Sequence, residues 1–330
     1  MALKVLVTGA AGFVGAAMCT ALREHGISYR GAVRRAAADR RTGSEVGIEV
    51  GNIDAGTDWR AALAGCDTVV HLAARVHMME DDASDKLAAF RAVNVEATMN
   101  LARQAIKAGV KRFVFVSSVK VNGEQTGIGG QVQTFSALDQ PAPQDPYGVS
   151  KLEAELALRE LSSQSGLELV IVRPPLVYGP GVRANFKKLI ELVQRGLPLP
   201  FGRVANQRSM VALDNLVDLL VVCASDPRAA GQVFMVSDGQ DVSLPDLIRL
   251  IAGALGKQAF LVPVPVCLMS AAATVLGKRA SVARLFGSLQ VDLQPTRTRL
   301  DWTPVVTMEE AMQETVAAFL ADQQKPAGLP

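Results

Sequence analysis

The sequence predicts an α/β fold, a Rossmann-type doubly wound parallel sheet followed by a smaller C-terminal α/β substrate lobe. Three observations carry that expectation. Short apolar, branched runs alternate with amphipathic stretches from Leu3 to Val172, the rhythm of strands and crossover helices in a parallel sheet. The first run, Leu3 to Val7, passes through Gly9, Gly12 and Gly15 into a helical stretch from Phe13 to Glu24. Such a turn leaves backbone N–H groups and a positive dipole end facing a crevice suited to a pyrophosphate. After Arg173 the pattern changes, with Pro174, Pro175, Pro180, Pro198 and Pro200 set among shorter helices. The expected division is a nucleotide-binding lobe over 1–173 and a mainly substrate-binding lobe over 174–330, set at the carboxyl edge of the sheet where open α/β folds bind ligands.

The elements follow in order. Val14, Met18 and Leu22 recur at helical spacing in the first helix. Ser28 to Val33 is a second strand ending in Arg34-Arg35, and Ile48 to Gly51 a third leading into Asn52-Ile53. Asp58 to Ala64 reads as a helix with an acidic start, and Thr68 to Leu72 as a fourth, buried strand. A single long helix is expected over Leu87 to Ala108, closed by Gly109. Strand five holds Phe113 to Val116, the next helix Tyr147 to Ser163, and strand six Glu168 to Val172. Helices near Phe186 to Arg195, Asp214 to Ala224 and Leu244 to Ala254 are assigned to the second lobe.

Bulk properties narrow the function. The net charge of +2 across 330 residues gives no support to nucleic-acid or membrane partners. Phe260 to Gly277 is apolar, but Pro263 and Pro265 interrupt it, so it is expected to pack as a loop and helix. Cys19, Cys66, Cys223 and Cys267 lack metal spacing and read as reduced, buried thiols of a cytoplasmic protein. The N-terminus leads straight into the first strand, which fits that compartment.

Tyr147-Gly-Val-Ser-Lys151 carries the most chemistry. Four residues apart on a helix, the phenol and the ammonium share a face. The cation is expected to lower the phenol's pKa, so that the phenol exchanges a proton with a substrate hydroxyl at neutral pH. Ser117-Ser118 ends strand five at the same sheet edge, where a hydroxyl can hold the same substrate oxygen.

Further segments follow in order: His71-Leu-Ala-Ala74, Asn94-Val95 with Thr98, Phe115-Val-Ser-Ser-Val-Lys-Val-Asn-Gly123, Arg173-Pro-Pro-Leu-Val-Tyr-Gly-Pro-Gly181 and Arg208-Ser-Met-Val-Ala-Leu-Asp-Asn215. With them the chain, from Leu3 to about Ala318, resembles the extended short-chain dehydrogenase/reductases, the NAD-dependent epimerase/dehydratase family. Within it the local patterns are most similar to bacterial UDP-4-keto-6-deoxy-HexNAc 4-reductases and UDP-sugar 4-epimerases. The resemblance implies a catalytic set of Ser118, Tyr147 and Lys151. It implies cofactor contacts at Gly9, Gly12, Phe13, Val14, Gly15, Leu72, Ala73, Ala74, Asn94 and Pro174, with Asn52 and Ile53 flanking the adenine and Lys151 holding the nicotinamide ribose. It implies UDP-sugar contacts at His77, Ser118, Lys120, Asn122, Val177, Asn185, Phe186, Pro200, Phe201, Arg208 and Arg284.

Two departures matter. An asparagine, Asn122, stands where the resembling segment often has tyrosine. Arg34-Arg35 ends strand two where NAD-specific members place a carboxylate, and arginine suits a ribose 2′-phosphate. NADP(H) is therefore favoured, with NAD(H) as the other choice. Ser118-Val119-Lys120 offers no carboxylates where the 4,6-dehydratases carry a Thr-Asp-Glu set, which speaks against a 4,6-dehydratase. The favoured activity is NADPH-dependent reduction of the C4 ketone of a UDP-4-keto-6-deoxy-HexNAc, giving a UDP-QuiNAc type product for surface polysaccharide such as O-antigen. The alternatives are a UDP-hexose or UDP-HexNAc 4-epimerase holding NAD, and an inactive NADP(H)-binding sensor or scaffold. Relatives pair through two long helices, so a homodimer through Leu87 to Ala108 and Tyr147 to Ser163 is expected.

Overall fold

Hydrophobic alternation along single strands organises the molecule. In β1 (Lys4–Thr8), Val5 and Val7 point to one face of the sheet and Leu6 to the other, and each joins a separate buried cluster. The computed structural model describes residues 3–35, 47–76, 85–127, 134–275 and 285–324. Seven strands form one parallel sheet, β1 with β2 (Ser28–Val33), β3 (Gly47–Glu49), β4 (Thr68–His71), β5 (Arg112–Val116), β6 (Glu168–Arg173) and β9 (Val233–Met235), in the order β3-β2-β1-β4-β5-β6-β9. The order reverses between β1 and β4, the switch point at which open α/β sheets bind ligands at the carboxyl ends of their strands. The Rossmann-type expectation holds.

On the Val5 face pack α1 (Phe13–Glu24) and α7 (Leu213–Ser225). On the Leu6 face, Phe113, Phe115, Leu101 and Leu158 bring in α4 (Thr98–Lys107) and α5 (Pro146–Ser165). A second sheet, β10 (Asp241–Val242), β8 (Arg208–Ala212) and β7 (Leu176–Tyr178), belongs to the smaller lobe with α6 (Ala184–Gln194) and α8 (Leu244–Ala254). That lobe has its own core around Tyr178, Phe186, Ile190, Met210, Ile248 and Met312. The chain crosses between lobes more than once, because α7 and β9 follow residue 173 yet pack with the nucleotide lobe.

Several local expectations shift. The long helix is three pieces: α3 (Lys86–Arg91), a π-helical turn at Ala92–Ala97, and α4. Residues 58–64 yield only the short α2, Arg60–Leu63, because Asp58 binds the Arg60 backbone and side chain ahead of it. The third strand starts one residue earlier than expected and is three residues long. Residues 260–275 form a loop and α9 (Val266–Val275) as expected, but Phe260 and Leu268 are exposed, as is Cys267, while the other three cysteines are buried. Among the described residues no helix is long and apolar enough to cross a membrane.

Candidate active site

The glycine turn is built by close packing. Gly9 takes φ +67°, a left-handed conformation that glycine adopts without strain. A Cβ on it would stand 3.0 Å from the Ala73 nitrogen at the end of β4. Gly12 caps α1 with no side-chain hydrogen bond, its N–H donating to the Gly9 carbonyl at 2.8 Å. A Cβ on Gly15 would fall 2.0 Å from the Gly9 oxygen, so only glycine lets the helix sit this close to the turn. Phe13 and Val14, the first two residues of α1, lean on the core. Thr8 closes the floor: its hydroxyl accepts from the Leu72 and Ala73 N–H groups at 3.2 Å and bonds the His71 ring at 2.7 Å. The other His71 nitrogen meets Thr98 at 2.9 Å, and burial drives the ring's pKa down to about 3, so it is neutral. Ala74 continues the partly buried segment after β4.

The tyrosine helix begins at a strong start signal. Asp145 caps α5, its Oδ1 accepting from the Gly148 N–H at 2.7 Å, and Pro146 occupies the first turn. Tyr147 and Lys151 lie one turn apart on it, with the edge of the Tyr147 ring against Phe90 at a centroid separation of 5.9 Å. Asn94, in the π-helical turn, binds the Arg75 N–H at 2.8 Å, the Arg75 carbonyl at 3.1 Å and Ser150 at 3.0 Å. It thereby ties the segment after β4 to the start of α5. π turns recur at functional positions, and no residue pattern in 92–97 signals this one. Ser118 follows β5 and caps a short 3₁₀ turn, Val119–Val121, accepting from the Lys120 N–H at 3.3 Å. Its neighbour Ser117 is buried, with a hydroxyl that has no hydrogen-bond partner among the described residues.

The electrostatics differ from the expectation. Burial, and then the Asp145 carboxylate, hold the Tyr147 phenol above its ordinary pKa, not below it. The Lys151 ammonium is directed elsewhere. Its Nζ donates to the Val116 carbonyl at 2.9 Å and stands 4.6 Å from the centre of the Phe115 ring. Burial lowers its pKa to about 7 against the opposing pull of Glu155. A second ammonium, Lys120 Nζ, lies 6.0 Å from the centre of the Tyr147 ring and pairs with Asp145.

The remaining candidates divide by burial. Arg34 and Arg35 are exposed just past β2, next to the glycine turn, where the Ala10 N–H reaches the Ala32 carbonyl at 3.2 Å. Asn52 is exposed, and Ile53 leans on the second core. Pro174 is buried, and its carbonyl accepts from the Val119 N–H at 3.0 Å. Val177 is partly buried in β7. Asn122 is buried, donating to the Ser136 carbonyl at 2.7 Å and accepting from Arg173 at 3.1 Å, so its amide braces the serine turn. Phe186 is also a packing residue, stacked on Tyr178 at 5.7 Å, while Asn185 beside it is exposed. Pro200 is exposed, and the Phe201 ring meets Phe286 edge-on at 6.2 Å. Arg208 donates to the Gly287 carbonyl at 2.9 Å. His77 and Arg284 lie outside the described residues. Among the described residues no group of three or more His, Cys, Asp or Glu side chains is arranged to hold a metal.

Asp145 was missed, although an aspartate before proline at a helix start is a readable cap. Glu155 and Arg173, a buried pair below the site, carry no local signal because their elements meet only in the fold.

Comparison with known proteins agrees with this geometry. Residues 5–237 match the profile of the NAD dependent epimerase/dehydratase family. The chain is 46% identical over 321 residues to a UDP-glucose 4-epimerase of Vibrio cholerae, covering 96% of this chain and 95% of that one. MoeE5, solved in complex with UDP-glucose and NAD, is 26% identical with a TM-score of 0.74, covering 97% of this chain and 99% of that one. The UDP-glucuronic acid 4-epimerase of Bacillus cereus, solved with NAD, shares the fold at 23% identity and a TM-score of 0.75, over 97% of this chain and 99% of that one.

Proposed function

The chain belongs to the NAD-dependent epimerase/dehydratase family, the extended short-chain dehydrogenase/reductases, and from that premise we propose that it is a UDP-sugar oxidoreductase working at C4, as a 4-epimerase. The observation that carries the reading is the meeting of three segments at one sheet edge. The Tyr147–Lys151 turn and the Ser118 turn lie at the carboxyl edge of the sheet that also carries the glycine turn, linked to it through the segment after β4, whose Leu72 and Ala73 bind Thr8 and whose Arg75 binds Asn94, itself bonded to Ser150. In that glycine cradle a Cβ at Gly9 or Gly15 would strike backbone. The likeness to the Vibrio cholerae UDP-glucose 4-epimerase supports the choice of reaction.

The cradle fits a dinucleotide. The uncapped start of α1 offers backbone donors to a pyrophosphate, and Gly9, Gly12, Gly15, Ala73 and Ala74 leave room for its close approach. Such a cofactor, when bound, supplies the hydride acceptor and donor for the sugar carbon. The chain supplies the rest. Tyr147 takes the proton of the C4 hydroxyl and later returns it, which places the phenol within one hydrogen bond of that oxygen. Ser118 donates to the same oxygen and fixes its direction. Lys151 holds a cofactor ribose. Asn94 locks the start of α5, so these groups keep their register. Arg208, at the head of β8, grips the diphosphate, and Phe201 walls the uracil. The oligomer in this reading is a homodimer through α4 and α5, on whose outer face Leu156 is 57% exposed.

A second reading rests on Arg34 and Arg35. Two exposed arginines after β2 favour a ribose 2′-phosphate, and NADPH-dependent reduction of a UDP-4-keto-6-deoxy-HexNAc goes with that preference. One experiment separates them. The cofactor released from purified protein is identified by mass, and UDP-glucose, UDP-GlcNAc and, with added NADPH, a UDP-4-keto-6-deoxy-HexNAc are each incubated with the enzyme. Retained NAD with interconversion of C4 epimers supports the first reading. Retained NADP, with hydride consumption on a 4-keto sugar and no epimer formation, supports the second.

A further inference from the structure

One cation beside the phenol is not accounted for by the serine, tyrosine and lysine set. Lys120 is the second residue after Ser118, on the 3₁₀ turn Val119–Val121, and its N–H donates to Ser118 Oγ at 3.3 Å. Its ammonium pairs with Asp145 Oδ2, stands 3.7 Å from Glu124 Oε1, and lies 6.0 Å from the centre of the Tyr147 ring. The side chain of Lys120 is only 34% exposed and that of Asp145 16%, so water screens the pair weakly. Asp145 is fixed in place because its other oxygen caps α5 through the Gly148 N–H. The cap that starts the tyrosine helix therefore sets a carboxylate two residues before the phenol, where a negative charge opposes ionisation.

Resting on the reading above, we propose that Lys120 is a positioning residue of the proton-transfer step: its ammonium, held by Asp145 beside the Tyr147 ring, offsets the carboxylate of the helix cap and pins the serine turn to the start of the tyrosine helix. The other charged and titratable groups around the phenol leave this task open. Lys151, on the next turn of α5, is directed to the Val116 carbonyl. Glu155, one turn further, is taken by Arg173 of β6. His71 of β4 is buried between two threonines and neutral. From α3 the ring meets Phe90, which carries no charge, while Arg91 is paired with Glu153 on the outer face of α5. Glu124, after the serine turn, adds a second carboxylate near Lys120.

The test compares wild type with Lys120→Met, Lys120→Arg and Asp145→Asn, the last of which keeps a capping oxygen. The pH profile is read from the rate of the first half-reaction, which removes the C4 proton and reduces the bound nicotinamide, followed in a single turnover by nicotinamide absorbance. A cation at this distance in a partly buried site moves a phenol by about one pH unit. Lys120→Met is expected to shift the acid limb to higher pH by that amount, Lys120→Arg to restore it, and Asp145→Asn to shift it the other way. A Lys120→Met profile that superimposes on wild type, with only KM raised, overturns the proposal and leaves Lys120 as a substrate grip. A second readout does not depend on the substrate. The chain has three tyrosines, so the near-ultraviolet phenolate band of Tyr147 is assigned by difference against Tyr147→Phe. Measured in Asp145→Asn with and without Lys120→Met, it is expected to titrate about one pH unit higher in the double variant; coincident curves overturn the proposal. If no UDP-hexose is turned over while this shift is present, the epimerase reading fails and the role of Lys120 stands.

Discussion

Glu155 Oε2 accepts from Arg173 Nη2 at 2.6 Å while Oε1 accepts from Nε at 3.0 Å, and both side chains are 3% exposed or less. The pair joins α5, one turn past Lys151, to the end of β6, and through Asn122 to the turn that carries Ser118. Removing one partner of such a pair leaves a buried charge and costs about 3–5 kcal/mol. Arg173→Met is therefore expected to lower Tm by about 4–7 °C, and Glu155→Gln by less, because the amide still accepts one bond. Thermal unfolding followed by circular dichroism checks it; an unchanged Tm in Arg173→Met refutes the structural role.

Tyr147→Phe removes the group that exchanges the C4 proton. Its kcat is expected to fall about 10²–10⁴-fold, with cofactor content and KM close to wild type, since the ring still packs against Phe90. Ser118→Ala removes one hydrogen bond to the same oxygen and is expected to cost about 10–100-fold. Initial rates with UDP-glucose measure both, and a Tyr147→Phe rate equal to wild type rules the phenol out.

The nucleotide lobe was legible because its strands are buried on both faces and its glycines fall at fixed offsets. The second lobe was less so. β9 is three residues, Val233–Met235, too short to show a period, yet it completes the main sheet beside β6. Leu213–Ser225 reads as an amphipathic helix in any lobe, and only the packing of Leu216, Leu220 and Cys223 places it against α1. In the candidate site, residue types and spacing singled out Tyr147, Lys151 and Ser118, and the fold puts the Tyr147–Lys151 turn and the Ser118 turn at the end of β5. Spacing cannot report where an ammonium points. The lowered phenol assumed Lys151 directed at Tyr147, but a carbonyl from β5 competes for its protons. Phe186 and Asn122 sat in segments of the right pattern, yet their side chains complete a core and a buried network.

Lys151 gives a pH signature of its own. Burial lowers its pKa from 10.5 to about 7 in the folded chain. Between those values the unfolded chain holds a proton that the folded chain has released, so this group makes stability rise with pH across the window. Relative to Lys151→Met, wild type is expected to gain on the order of 2 kcal/mol between pH 7 and pH 9. Urea unfolding at the two pH values measures it, and parallel behaviour of the two proteins contradicts a depressed lysine.

Two glycine substitutions separate packing from backbone strain. Gly15→Ala puts a methyl 2.0 Å from the Gly9 oxygen, which forces α1 away from the turn. It is expected to lose retained cofactor and to lower Tm. Gly26→Ala sits at φ +66° with nothing within 4 Å, so it bears only the left-handed strain of about 1–2 kcal/mol. It is expected to keep its cofactor. Mass analysis of released cofactor together with Tm distinguishes them; full cofactor retention in Gly15→Ala refutes the cradle.

Arg34 and Arg35 bear on which dinucleotide is held. β2 delivers them beside the glycine turn, and both are exposed. If they grip a 2′-phosphate, each charge-assisted contact is worth about 1.5–3 kcal/mol. Replacing both with aspartate then removes the contact and adds acceptors for a free 2′-hydroxyl. Arg34→Asp/Arg35→Asp is expected to weaken NADPH at least about tenfold and to tighten NADH, measured by nicotinamide fluorescence on cofactor-stripped protein. The arginines lie far from the Ser118 and Tyr147 turns in sequence and on the opposite side of β1 from β4, so kcat at saturating NAD is expected to stay near wild type. An unchanged NADPH to NADH ratio means that both arginines are solvated, and that removes the support for a reductase.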